Sequence, residues 1–352
     1  MTALELFFDV VFVLAITQCT AYMADHPTWT GLVQGVLILA VLWWGWVGYS
    51  WLTSVVDPEE GWVRVAMFGA MAALLVVSLA IPESFGDLGL LFALSYAVFR
   101  AGQLILFWIA AQDDPELRNS IAGFGISSIF GVSMLVVAST LDGTAQLIVF
   151  ALAISLDVLG PYVRGSSGWQ LVPQHFAERH RLILIIALGE SIVAIGAGAE
   201  HGVGGGEVLA AVLGTGVAAC IWWIYFDVVA VVTEARLVRA SRGREQNELA
   251  RDVYSYMHYP MVAGIVLLAL GLKKTLGGWD KELEIEIAAA LFGGVALYLL
   301  AHVAVRMRNI RSVSNVRLGL AVLLLATIPL VTEIPATAAV AILLGLLIAL
   351  IT

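Results

Sequence analysis

Long apolar runs and short polar breaks alternate along the whole chain, and their spacing predicts helices that cross a bilayer. A helix rises about 1.5 Å per residue and the hydrocarbon core is about 30 Å thick, so a crossing needs about 20 largely apolar residues. Twelve stretches meet or approach that length: 4–23, 30–53, 62–81, 88–111, 119–139, 145–162, 181–199, 207–231, 252–272, 285–306, 315–332 and 336–352. Turn-forming groups separate them, among them His26-Pro27, Asp57-Pro58, Asp113-Asp114-Pro115, Asp142-Gly143, the run Gly202 to Gly206, and Glu333-Ile-Pro335. The predicted fold class is all-α: a polytopic integral membrane protein with 12 transmembrane helices.

Composition agrees. Hydrophobic residues make up 61% of the chain and charged ones 13%, against about a quarter in soluble domains. The placement of charge says more than the net −9. Cytoplasmic loops collect Lys and Arg. With twelve spans, 14 arginines from Arg64 to Arg317 fall on one side, Lys273, Lys274 and Lys281 on the other, and Arg100 inside a span. That asymmetry predicts both termini on the cytoplasmic side of the membrane. The first span carries Glu5 and Asp9 where a signal peptide would carry Lys or Arg, so it is expected to stay as a mature helix. Cys19 and Cys220 fall in apolar spans of different halves and read as small buried hydrophobes.

The two halves echo each other. Aligning Ala15 with Ala187 sets Gln18 opposite Glu190; Trp43-Trp44-Gly-Trp46 matches Trp222-Trp223-Ile-Tyr225; and Tyr96 to Arg100 matches Tyr298 to His302. Six spans return the chain to its starting side, so the expected layout is two parallel repeats, 1–162 and 181–352. A cytoplasmic linker, 163–180, containing Gly165-Ser-Ser-Gly168, would join them.

Ionisable residues at bilayer depth cost roughly 2.5–3.5 kcal/mol on insertion scales, so each is a candidate for function. Glu5 and Asp9 lie one turn apart on one helix face, either as a proton or cation site or as carboxylates neutralised by a basic partner elsewhere. Glu190, flanked by Gly189, Gly196 and Gly198, falls near mid-bilayer, with Arg100 as the expected partner, in a structural lock or a gate. His258 precedes Tyr259-Pro260, where proline frees carbonyls and kinks the helix; a proton relay and a simple interhelical hydrogen bond both fit. His302 would mirror Arg100. Asp157 and Asp227, near inner span ends, are expected to be solvated. Trp43, Trp44, Trp46, Trp222 and Trp223 would pack between repeats or wall a permeation path. The segment Glu234 to Arg251, with five arginines and three acids, could lie against anionic headgroups.

Absent motifs narrow the field. No G-x-x-x-x-G-K-[ST], H-E-x-x-H, CxxC or G-x-S-x-G occurs, which argues against an ATP-driven pump and the common hydrolases. His175-x-x-Glu178-x-His180 has only partial metal-ligand spacing. No cofactor and no nucleic acid is expected; the expected partners are the lipid bilayer, an ion or small solute, and a second copy of the chain as a homodimer.

Glu5-Leu-Phe-Phe-Asp9-x-Val-Phe, Ala15-Ile-Thr-Gln18, the tryptophans at 43–46, and His175-Phe-x-Glu178-Arg179-His180 leading into Ile186-Ala-Leu-Gly-Glu190-Ser191 together resemble the bacterial low temperature requirement A (LtrA) family over nearly the full length. The family name records growth in the cold and assigns no substrate. The resemblance also implies a cytoplasmic leader, which looks short or missing here. Phe7-x-Asp9-x-Val11-Phe12-x-x-Ala15-Ile16-Thr17 is similar to the first-helix signature of endolysosomal and bacterial potassium channels with an F-S-D motif, which implies a pore lined by the opening helices. Phe8 replaces the serine and Arg181 stands opposite Asp9 in the second half; both departures count against potassium selectivity. The expected function is transport of an ion or small solute through intramembrane carboxylates. The alternatives are a channel and a non-transporting structural protein.

Overall fold

A computed structural model describes residues 1–164, 168–169, 171–198 and 204–352. Among these residues the chain is helical, with no strand beyond one isolated antiparallel bridge between Glu282 and Pro335. The helices are α1 (Ala3–Asp25), α2 (Trp29–Leu52), α3 (Gly61–Ala80), α4 (Gly89–Ala110), α5 (Pro115–Ala138), α6 (Gly143–Arg164), α7 (Pro173–Gly198), α8 (Gly205–Arg239), α9 (Arg244–Gly277), α10 (Ile285–Ile310), α11 (Asn315–Val331) and α12 (Ala336–Ile351). The first ten are long and apolar enough to cross a membrane. The last two have 17 and 16 residues. They reach about 24–26 Å, short of a full hydrocarbon core unless the bilayer thins around them.

Several helices outrun the apolar stretches that signalled them. α8 and α9 extend to Arg239 and back to Arg244 through charged turns, because apolarity marks bilayer depth whereas hydrogen bonding continues wherever propensity allows. α5 begins four residues early, where Asp114 accepts from the backbone N–H groups of Glu116 and Leu117 and Pro115 occupies the first turn. The expected 163–180 linker is helical at both ends, since α6 runs to Arg164 and α7 starts at Pro173. Its Gly165 to Ser167 portion, and Gly202 of the glycine-rich run, lie outside the described residues.

The outer surface is apolar. Val98, Val212 and Leu330 are 64%, 65% and 67% exposed, while Glu5, Asp9, Arg100, Arg179 and Glu190 are buried. Such a distribution, greasy outside and ionic inside, suits lipid as the surrounding solvent.

The chain forms two compact units. Unit 1 comprises Met1–Cys19, Gln34–Arg179 and Leu237–Ser255; unit 2 comprises Thr20–Val33, His180–Arg236 and Tyr256–Thr352. In unit 1, α3 packs along α4 and α5 along α6. At Gly131 a β-carbon would lie 2.9 Å from the Ala153 carbonyl, so the absence of a side chain sets the α5–α6 spacing. In unit 2, α9 and α10 cross at Gly264 and Gly294, each of whose β-carbons would collide with the other's carbonyl oxygen. Three π-helical turns fall in α8–α10, at Tyr225–Val229, Ala250–Tyr256 and Ala289–Gly293. Extra residues of this kind redirect side chains and recur at functional sites.

Candidate functional site

The first buried cluster is built by the N-terminal turns of α1. Thr2 and Glu5 form a reciprocal cap: the Glu5 N–H donates to Thr2 Oγ1 and the Thr2 N–H donates to Glu5 Oε2 at 2.9 Å. That cap holds Glu5 in place one turn before Asp9. Both acids are fully buried and share one guanidinium, that of Arg179 on α7. Arg179 Nη2 donates to Asp9 Oδ1 at 3.0 Å, and Nη1 lies 3.6 Å from Glu5 Oε1. Nη1 also donates to Thr53 Oγ1 at 2.9 Å, and the guanidinium sits 5.3 Å from the Trp46 ring. Trp46 Nε1 donates to Asp9 Oδ1 at 2.8 Å, and His175 Nε2 is 3.0 Å from Glu5 Oε2.

This cluster is not electrically closed. Two carboxylates face one guanidinium, which leaves one negative charge when His175 is neutral. A proton on His175 or on a carboxylate closes the balance, and so does a bound monovalent cation. Asp9 Oδ2 and Arg179 Nε are buried without a hydrogen-bond partner among the described residues. Buried polar atoms are nearly always satisfied, so an open acceptor on a buried carboxylate is the atom that a proton, water or ion would satisfy.

The second cluster is balanced in charge, one guanidinium to one carboxylate, although Arg100 Nε and Gln103 Nε2 have no hydrogen-bond partner among the described residues. Arg100 Nη2 on α4 contacts both oxygens of Asp157 on α6, at 3.0 and 3.1 Å. Arg100 also donates to Ser128 and Gln103, and lies 4.9 Å from the Phe124 ring. Ser128 donates to Asp157 Oδ1 at 2.8 Å. Gly48 leaves space for the Gln103 amide, which any β-carbon there would strike.

Unit 2 carries a cluster of tyrosine and histidine rings. Tyr225, in the π turn of α8, is 2.9 Å from His258 Nε2, and the His258 ring stands edge-on to His180 at 5.5 Å. Tyr298 and His302 pack 4.3 Å apart, and Tyr298 donates to the Ile221 carbonyl at 2.9 Å. Asp227 is exposed.

Two expectations need correction. Arg100 takes Asp157 as its carboxylate, not Glu190, and Asp157 is therefore buried, 3% exposed, not solvated. A position near a span end suggests water, but α6 turns Asp157 against Ser128 of α5 and Arg100 of α4. The basic partner of Asp9 is Arg179, which the charge asymmetry places with the loop arginines. A signal was present: the buried positions Ile183 and Ala187 of α7 extend backwards at helical spacing to Phe176, Arg179 and His180, all buried.

The remaining candidates fall in different surroundings. Glu190 is buried in unit 2 and Gln18 half-buried near the middle of α1. Trp43 is stacked on Trp46 at 5.2 Å and donates to the Ser255 carbonyl at 2.8 Å. Trp44 is buried, whereas Trp222 and Trp223 are 46% and 53% exposed on the outer face of α8. Cys19 and Cys220 are buried. Among the described residues no three His, Cys, Asp or Glu side chains converge as metal ligands; His175 meets Glu5 instead.

An apolar exterior around many long apolar helices, with ionic groups held inside, defines a multi-pass α-helical membrane protein. The sequence model described as bacterial low temperature requirement A protein (LtrA) matches residues 1–352, and the chain belongs to that family. Among curated proteins it is similar to an uncharacterized protein of Rhizobium meliloti (strain 1021), 28% identical over 320 residues that cover 84% of this chain and 74% of the relative.

Proposed function

We propose that this LtrA protein transports an ion or small solute across the bacterial cytoplasmic membrane, with Glu5, Asp9, Arg179 and His175 forming its proton or cation site. The uncompensated carboxylate of that cluster carries the reading: a buried network with one charge too many and an open acceptor at Asp9 Oδ2 changes its ion occupancy more readily than a matched pair. Gln18 in unit 1, and Glu190 and His258 in unit 2, are further candidate positions.

Twelve spans in two parallel six-helix repeats, with both termini cytoplasmic, are the topology this mechanism uses. The arginine asymmetry supports it, and so do two matching bonds: Tyr96 donates to the Val41 carbonyl at 3.1 Å, and Tyr298 to that of Ile221 at 2.9 Å. The partners are the bilayer, the transported species and a second copy of the chain.

A structural role is the second reading, favoured by Arg179 already occupying one oxygen of Asp9. The two are separated by flux in proteoliposomes across a panel of monovalent cations, amines and amino acids. Transport predicts a saturable flux that Asp9→Asn reduces to background while thermal unfolding in detergent stays near that of the parent. No flux for any of the panel, with Asp9→Asn altering stability alone, overturns transport; unitary currents would assign a channel instead.

A further inference from the structure

Between the inner turns of α8, α10 and α11 in unit 2 lies a cavity of about 70 Å³, whose polar lining is Thr233, His302, Arg306, Asn309 and Arg317. That volume exceeds the roughly 10–15 Å³ that one water requires. No acidic residue lines it. Arg317 is half-buried and makes no ion pair or hydrogen bond among the described residues, and Arg306 uses only Nε, donating to Ser312 Oγ at 2.9 Å. Among the described residues His302, 1% exposed, has no hydrogen-bond partner on either ring nitrogen, and Asn309, whose amide donates to Thr233 Oγ1 at 3.3 Å, leaves its Oδ1 unsatisfied. A guanidinium withdrawn from water without a counter-ion is unfavourable unless something outside the chain supplies the charge.

We infer that this cavity binds a phosphate group through Arg306 and Arg317, with His302 and Thr233 at its inner wall. Guanidinium forks match phosphate oxygens in a way that single point charges do not. The surroundings favour the phosphate of an anionic lipid headgroup: Val228 and Val232, which line the cavity, are 49% and 41% exposed, and the adjoining Ile310 and Val316 are 48% and 69% exposed. An acyl chain lying over those side chains would bring its headgroup to the arginines, as basic pockets between membrane helices do.

The test uses the full chain purified in detergent, with thermal unfolding measured against phosphatidylglycerol, phosphatidylcholine and inorganic phosphate. Phosphatidylglycerol should raise the unfolding temperature and phosphatidylcholine should not. Arg317→Gln should weaken the apparent affinity roughly tenfold to a hundredfold, since a charge-assisted contact is lost. Arg306→Gln, at an exposed position that tolerates change, should weaken it less, and Arg242→Gln, outside the cavity, should leave it unchanged. An equal response to inorganic phosphate keeps the site but assigns it to a free anion. The inference fails if neither phosphate source stabilises the parent chain, or if all three variants respond as the parent does.

Discussion

Tyr96 and Tyr298 make the same bond in the two units, each capping a backbone carbonyl of a neighbouring helix, yet the residues four positions on differ in kind. In unit 1 that residue is Arg100, locked to Asp157 by a guanidinium–carboxylate pair. In unit 2 it is His302, packed on the Tyr298 ring with no hydrogen bond of its own among the described residues. A buried ion pair tolerates little loosening, because removing either partner leaves a charge in a medium that cannot solvate it. The comparison teaches that at matching positions unit 1 seats a guanidinium–carboxylate pair and unit 2 a contact between rings.

Arg179→Ala should break unit 1 most severely, since it strands two buried carboxylates. We expect a loss of at least about 3–5 kcal/mol, or a protein that does not accumulate, measured by thermal unfolding in detergent. Adding Glu5→Gln and Asp9→Asn to the same chain should recover much of it. Next in size, Arg100→Leu or Asp157→Leu alone should cost about 3–5 kcal/mol, whereas the double apolar replacement should restore stability, the signature of a structural pair. The smallest effect belongs to unit 2. Tyr225→Phe removes the hydroxyl that meets His258 Nε2, at a cost of about 1–3 kcal/mol. If Tyr225→Phe destabilises as much as Arg100→Leu, the contrast between the units is gone.

Most of the helices could be read from the chain, because bilayer depth selects long apolar runs and polar punctuation ends them. The helix ends could not: Arg239 and Arg244 sit on turns whose charge resembles loop, and only the backbone hydrogen bonds show α8 and α9 reaching them. Asp9 and Arg100 stood out as ions in apolar surroundings. Their partners did not, since Arg179 and Asp157 lie near span ends and look solvated in one dimension.

Pattern and composition alone determined that the chain is a helical membrane protein with acids on its first helix, because insertion energy is a sum over local segments. Tertiary structure decided which charge meets which. That choice depends on how α7 rotates to present Arg179 and how closely α5 and α6 approach at Gly131. Side-chain packing fixes both over distances that no residue-by-residue reading spans.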